Sequence, residues 1–244
     1  KVNPFFRGGS GRGADWVKSG PLWGGVGLNR VWALWVAGIL AGGVLAVPRV
    51  AAQAEYYWVG EGTTGHWSLS GNWVGGLIPP PAPNPEISEQ GLVVFANAGG
   101  GASVVDMDWV LHGIRFDDGA GSRVIEGAPL TLAPVMGEDQ AIILDQTGVT
   151  QEIRNAIRLQ GNALFRNTVN EKDTHLLFSG DIDLNGFTLS VRGASTSRDL
   201  GPQFHGSISG AGTLERTSSW DAWGLYGDNT HSGTTRVQRG HTWV

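Results

Sequence analysis

The segment Ser179-Gly180-Asp181-Ile182-Asp183-Leu184-Asn185-Gly186-Phe187-Thr188-Leu189 is the most informative part of this chain. It is echoed by Gly206-Ser207-Ile208-Ser209-Gly210-Ala211-Gly212-Thr213-Leu214 and by Gly227-Asp228-Asn229-Thr230-His231-Ser232-Gly233-Thr234-Thr235. Each copy holds two glycines six residues apart: Gly180 and Gly186, Gly206 and Gly212, Gly227 and Gly233. The copies are offset by 26 and then 21 residues. That is the size of one solenoid coil, far below the size of a domain. Phe187, Leu189 and Val191 alternate with Thr188, Ser190 and Arg192, the period of two expected of a half-buried strand.

Working outward, the same texture continues. Leu130-Thr131-Leu132 alternates on a smaller scale, and short apolar runs at 92–95, 142–144 and 176–178 end in Gly, Asp or Asn turns. Residues 149–159 fit two patterns. Val149, Ile153 and Ile157 suit a helical face, whereas the Gly161-Asn162 turn between Ile157–Leu159 and Leu164–Phe165 favours strands. Many short strands with Gly or Asn at the corners suit a sandwich, a barrel or a solenoid. Variable coil length with a constant corner favours the solenoid, because insertions sit outside the stacked core. The expectation is an all-β chain, a right-handed parallel β-helix with roughly five or six coils of ~22–26 residues over 110–244.

Composition and charge divide the chain. Glycine, at 39 of 244 residues, is about twice its ordinary share of roughly 7%, yet 41% apolar residues is too many for simple disorder. The absence of Cys removes disulfide frameworks, thiolate metal sites and cysteine nucleophiles. Residues 1–54 carry a net charge of +5 and residues 55–244 a net charge of −10. After Arg30 come seventeen uncharged residues, Val31 to Val47, and then Ala52-Gln53-Ala54. A positive flank, an apolar stretch and small residues at Ala52 and Ala54 are the parts of a secretory signal. A membrane anchor is the rival reading, but seventeen residues fall short of the ~20 that span a bilayer. Residues 1–29 thus read as an overhang or long n-region, 30–54 as a helical signal peptide cleaved after Ala54, and 55–244 as the exported body.

That body opens on Tyr56-Tyr57-Trp58-Val59-Gly60 and continues through Gly65-His66-Trp67-Ser68 to Asn72-Trp73-Val74-Gly75-Gly76. Trp58, Trp67 and Trp73 suit either a sugar-stacking platform or a plug for the open end of a solenoid. The plug is the stronger expectation, because repeat stacks need capped ends, and 55–109 is assigned to a Trp-rich cap and the first strands. These motifs, with Pro79, Val93-Val94-Phe95 and the later Gly206-Ser-Ile208-Ser-Gly210-Ala-Gly212-Thr-Leu214, resemble the secreted proteins with autotransporter-associated β-strand repeats. The likeness covers about 55–244. It implies a non-catalytic, adhesin-like passenger at or released from the surface of a Gram-negative-type bacterium. Glycans or neighbouring cell surfaces are the implied partners. It also implies that the chain is the beginning of a longer protein, stopping at Val244 before any translocator barrel or sorting signal.

Motifs that look chemical have plainer readings. Gly60-Glu61-Gly62-Thr63-Thr64-Gly65 spells G-x-G-x-x-G, but no helix pattern opens on its third glycine to hold a pyrophosphate. Asp181-Ile-Asp183-Leu-Asn185-Gly186 copies half an EF-hand loop, with Arg192 where a bidentate Glu is required. The pairs Asp106/Asp108 and Asp181/Asp183 share strand faces and could be acid and base, although a turn or surface role explains them as well. No catalytic residue, cofactor or metal ligand is expected, and an acidic body argues against nucleic acid. A polysaccharide-binding or polysaccharide-cleaving β-helix is the alternative function.

Overall fold

A computed structural model of the chain describes residues 54–80, 90–98, 103–134, 140–169, 175–193, 201–217, 222–238 and 241–243. Residues 1–53 of the predicted overhang and leader, Ala52 among them, lie outside the described residues. Strand β1 (Glu55–Trp58) precedes five complete three-strand turns. The first turn comprises β2 (Leu92–Phe95), β3 (Ser103–Val105) and β4 (Trp109–Leu111). The second comprises β5 (Gly113–Phe116), β6 (Arg123–Gly127) and β7 (Leu130–Leu132). The third holds β8 (Ala141–Asp145), β9 (Gln151–Ile153) and β10 (Ile157–Leu159). The fourth holds β11 (Ala163–Asn167), β12 (Leu176–Phe178) and β13 (Ile182–Asp183). The fifth is β14 (Thr188–Arg192), β15 (Gln203–Phe204) and β16 (Ile208–Ser209). Beyond it lie β17 (Thr213–Arg216), β18 (Ala222–Leu225), β19 (Thr235–Val237) and β20 (His241–Trp243).

Equivalent strands of successive turns pair in parallel. Sheet A runs β1-β2-β5-β8-β11-β14-β17-β19, sheet B runs β3-β6-β9-β12-β15-β18-β20, and sheet C runs β4-β7-β10-β13-β16. This is the expected β-solenoid. Residues 151–153 and 157–159 are strands, as the Gly161-Asn162 turn implied. Among the described residues the only helical pieces are the 3₁₀ turns Ser70–Asn72 and Val74–Gly76, and none can cross a membrane. Leu92 pairs with Gly113, Gly113 with Ile142, Ile142 with Leu164, Leu164 with Ser190, Ser190 with Glu215 and Glu215 with Arg236. The turns are therefore 21, 29, 22, 26, 25 and 21 residues long.

The period of two places one face of each strand inside. Val93, Phe95, Ile114, Phe116, Ile143, Phe165, Leu189, Val191 and Leu214 line the interior of sheet A, all buried. Phenylalanines stack at about the strand spacing, as parallel in-register strands require. Phe95 lies 5.2 Å from Phe116 and Phe178 lies 5.0 Å from Phe204, while Phe165 of β11 meets Phe178 of β12 across the interior of one turn at 4.6 Å.

Length variation is not spread evenly over the corners. Connections from sheet A to sheet B contain 7, 6, 5, 8, 10 and 5 residues in successive turns and those from C to A contain 1, 8, 3, 4 and 3, whereas those from B to C contain two or three. The constant corner has a steric cause. Gly180, Gly206 and Gly227 form a column in which a Cβ would collide with the carbonyl oxygen of Asn155, Gly180 and Gly206 respectively. Backbone packs on backbone there, so this corner has little room to lengthen.

Candidate functional sites

The three N-terminal tryptophans converge on one another. Trp58 and Trp73 meet edge to face at 5.0 Å and Trp67 meets Trp73 at 5.7 Å. Trp67 then touches Trp109 at 5.9 Å and Trp58 touches Phe95 at 6.1 Å. Each is at most 2% exposed, so none offers a face for a ligand to stack on. Their indoles are anchored through Trp67 Nε1 to Ser103 Oγ (2.8 Å) and Trp73 Nε1 to the Trp67 carbonyl (2.7 Å). Backbone bonds between Gly65, Trp67 and Val104 extend sheet B by one position, so the Trp segment stacks on the first turn.

The loop that spells G-x-G-x-x-G wraps around the buried Asn72. Asn72 Oδ1 accepts the Gly62 N–H (2.7 Å), and its Nδ2 donates to the Thr64 and His66 carbonyls (2.6 and 2.8 Å). The Val59 and Gly60 N–H groups bond the Asn72 carbonyl. The Gly60 and Gly62 amides are thereby engaged inside the loop. Gly60 has φ 68°, the left-handed region that glycine adopts without cost.

The candidate acid pairs also serve the backbone. Asp106 accepts both the N–H and the hydroxyl of Ser68, with His66 Nδ1 at 3.8 Å. Burial alone would raise the Asp106 carboxyl, but the Ser68 bonds outweigh it and hold it below its usual value. Asp181 accepts the N–H of Ser207 on the next turn (2.8 Å), and Asp183 accepts the N–H of Asn185 (2.9 Å). Asn185, at φ 47°, reaches back to the Leu159 carbonyl (2.9 Å). The half EF-hand is a corner that stitches three successive turns. Asp108 is exposed, and no bond joins it to Asp106. Gly186 (φ 91°) and Gly212 (φ 141°) turn the corner back to sheet A, with Gly233 against the Gly212 carbonyl.

Sequence reasoning missed a polar cluster inside the solenoid. Asp145 and Asn167 are wholly buried, in register on β8 and β11. Asp145 Oδ1 accepts the Thr147 N–H (2.9 Å) and hydroxyl (2.7 Å), while its Oδ2 and the Asn167 Nδ2 have no hydrogen-bond partner. Burial pushes the Asp145 carboxyl up to about 6, despite the Thr147 bonds that pull it down. Gln151 closes the corner through the Gly121 carbonyl and Thr147 (both 3.1 Å), and it accepts the Arg123 N–H. The Arg123 guanidinium donates to Asn97 and lies 5.2 Å over the Phe95 ring. The signal was legible: in Ala141-Ile-Ile143-Leu-Asp145 and Ala163-Leu-Phe165-Arg-Asn167 the polar residue falls on the inward beat.

Two outer surfaces complete the inventory. Ile142, Leu144, Leu164 and Arg166 line a shallow, mostly apolar depression of about 200 Å³ on sheet A. On sheet B, Arg154 donates to Glu152 (3.0 and 3.1 Å) and to Glu126 (3.2 Å), and Ser179 donates to Glu152 (2.7 Å). The Arg154 guanidinium is the main cause that holds the Glu152 carboxyl below its usual value. Compared with protein-family models, with curated proteins and with solved structures, the chain matches none.

Proposed function

We propose that residues 55–244 are an exported, adhesin-like display scaffold: a rigid solenoid, capped at its N-terminus by the Trp layer, that presents loops outside the cell. One observation carries this reading. Connections from sheet A to sheet B vary from five to ten residues and those from C to A from one to eight, while the B-to-C corner stays at two or three. A stack whose core tolerates length change along two of its three edges can vary what it presents without altering its fold. The apolar run before Ala52-Gln-Ala54 and the acidic, cysteine-free body support export. The Trp and Gly motifs that resemble autotransporter-associated repeats support a surface destination.

Export is tested by producing residues 1–244 with a C-terminal tag in a Gram-negative host and sequencing the N-terminus of the periplasmic product. Glu55 is the expected first residue. Full-length chain held in the cytoplasm would overturn the proposal.

A further inference from the structure

The outer face of sheet A carries two rows of side chains that the core does not use. In one row Gly113, Ile142, Leu164 and Ser190 follow one another turn by turn, and in the row beside it Arg115, Leu144, Arg166 and Arg192 do the same. The strands that bear them, β5, β8, β11 and β14, all lie within sheet A, with β2 paired on one side and β17 on the other. Neighbours in a row are about 4.8 Å apart, the strand spacing. Ile142, Leu144 and Leu164 are half-buried, and with the exposed Arg166 they line the depression of about 200 Å³.

The arginines on this face are not equivalent. Arg115 pairs with Glu55 (2.6 Å) and Asp117 (2.5 Å). Arg236 lies 3.5 Å from Glu215, which also accepts the Ser190 hydroxyl (3.0 Å). Arg192 donates to the neutral Thr217 hydroxyl (2.6 Å), and among the described residues neither Arg166 nor Arg192 forms an ion pair. Yet these two cations are in register on adjacent strands, where like charges repel. An anion laid across them relieves that repulsion and gains charge-assisted hydrogen bonds from both guanidinium groups.

An anion alone would leave the apolar part of the depression unused. A carboxylate with an alkyl chain fits both parts. Its head lies between Arg166 and Arg192, and its chain runs over Leu164, Leu144 and Ile142 towards Gly113, which has no side chain to block it. At the ~30 Å³ of a water-sized group the depression holds about seven such groups, close to the chain of an octanoate ion. Burying that chain on aliphatic side chains supplies the driving force, and the guanidinium pair sets which end lies where.

We infer that this face of sheet A binds a medium-chain alkyl carboxylate, its head bridging Arg166 and Arg192 and its chain lying over Leu164, Leu144 and Ile142. The inference rests on strands inside the stack and holds whether or not the chain is exported.

The test is calorimetric titration of the full chain with octanoate, with acetate as the head alone and 1-octanol as the chain alone. Octanoate binds with a Kd of about 1 mM or tighter, and acetate and 1-octanol bind at least about tenfold more weakly. Arg166→Gln, at an exposed position, weakens octanoate binding at least about fivefold. Should Arg166→Gln alter the circular dichroism, Arg192→Gln, also exposed, gives the same loss. Weaker or absent octanoate binding, acetate or 1-octanol within about tenfold of octanoate, or a smaller loss in the variant that folds would each overturn the inference.

Discussion

Asp145 shows how one side chain can couple this fold to pH. Its carboxyl sits at about 6 because burial disfavours the charged form. The unfolded chain releases the same proton near ~3.9. The folded state therefore holds more protons than the unfolded state between those values, and stability falls as pH rises through them. The loss is about 3 kcal/mol, complete above the folded value. Urea melts should show higher stability at pH 4.5 than at pH 7.5 from this group, and Asp145→Asn should remove the slope and raise the pH 7.5 midpoint. An unchanged slope in Asp145→Asn would discard Asp145 as its source. Glycine gives a second residue-scale contrast. Gly206→Ala drives a methyl into the Gly180 carbonyl and should cost about 3 kcal/mol or more. Gly75→Ala meets no neighbour and carries only the strain of φ 64°, about 1–2 kcal/mol. Equal melting shifts for the two would refute the stacked-backbone account of the B–C corner.

At the scale of elements, the Trp layer and the two kinds of corner make separate predictions. Asn72 holds the loop from Val59 to His66 through both ends of its amide. Asn72→Asp keeps the shape but sets a carboxylate against the Thr64 and His66 carbonyls, leaving them without donors. Amide exchange should then quicken in β1 and the 59–67 loop while β8, β11 and β14 keep their protection. Uniform loss of protection would mean that the layer nucleates the whole stack. A five-residue Gly/Ser insertion between Arg216 and Ala222, an A-to-B connection, should shift the melting temperature by only a few degrees, as loop closure grows slowly with length. The same insertion between Gly180 and Asp181 separates the glycine column from β13 and should abolish cooperative unfolding. These elements were readable in advance because period-two runs and six-residue glycine pairs are local signals. A plug is the stronger reading of the tryptophans, but which neighbours the indoles meet depends on how turns stack, which local sequence does not record. The register of Arg166 with Arg192, 26 residues apart, was hidden for the same reason.

For the whole molecule, each turn touches only the turns before and after it, so stability is a sum of nearest-neighbour interfaces and not one global core. The interior turns are sealed on both sides: Phe165, Phe178 and Phe204 stack continuously and the inward residues of β8, β11 and β14 are buried. Strands β1 and β19 differ. Beyond β1, the antiparallel bridge between Trp58 and Trp73 and the bonds to Asn72 occupy the backbone, with three indoles over the core. At β19, Thr235, Arg236 and Val237 are all exposed, although Thr235 and Val237 follow the inward positions of Leu214 and Arg216. A strand that leaves inward positions in water contributes little packing free energy. Opening should therefore propagate from β19 and β20 towards the centre. Residue-resolved hydrogen exchange at low denaturant checks this: protection should be highest in β8, β11 and β14, intermediate in β1 and β2, and lowest in β19. Simultaneous exchange of all turns at one free energy would instead make the solenoid a single cooperative unit, and the nearest-neighbour description would fail.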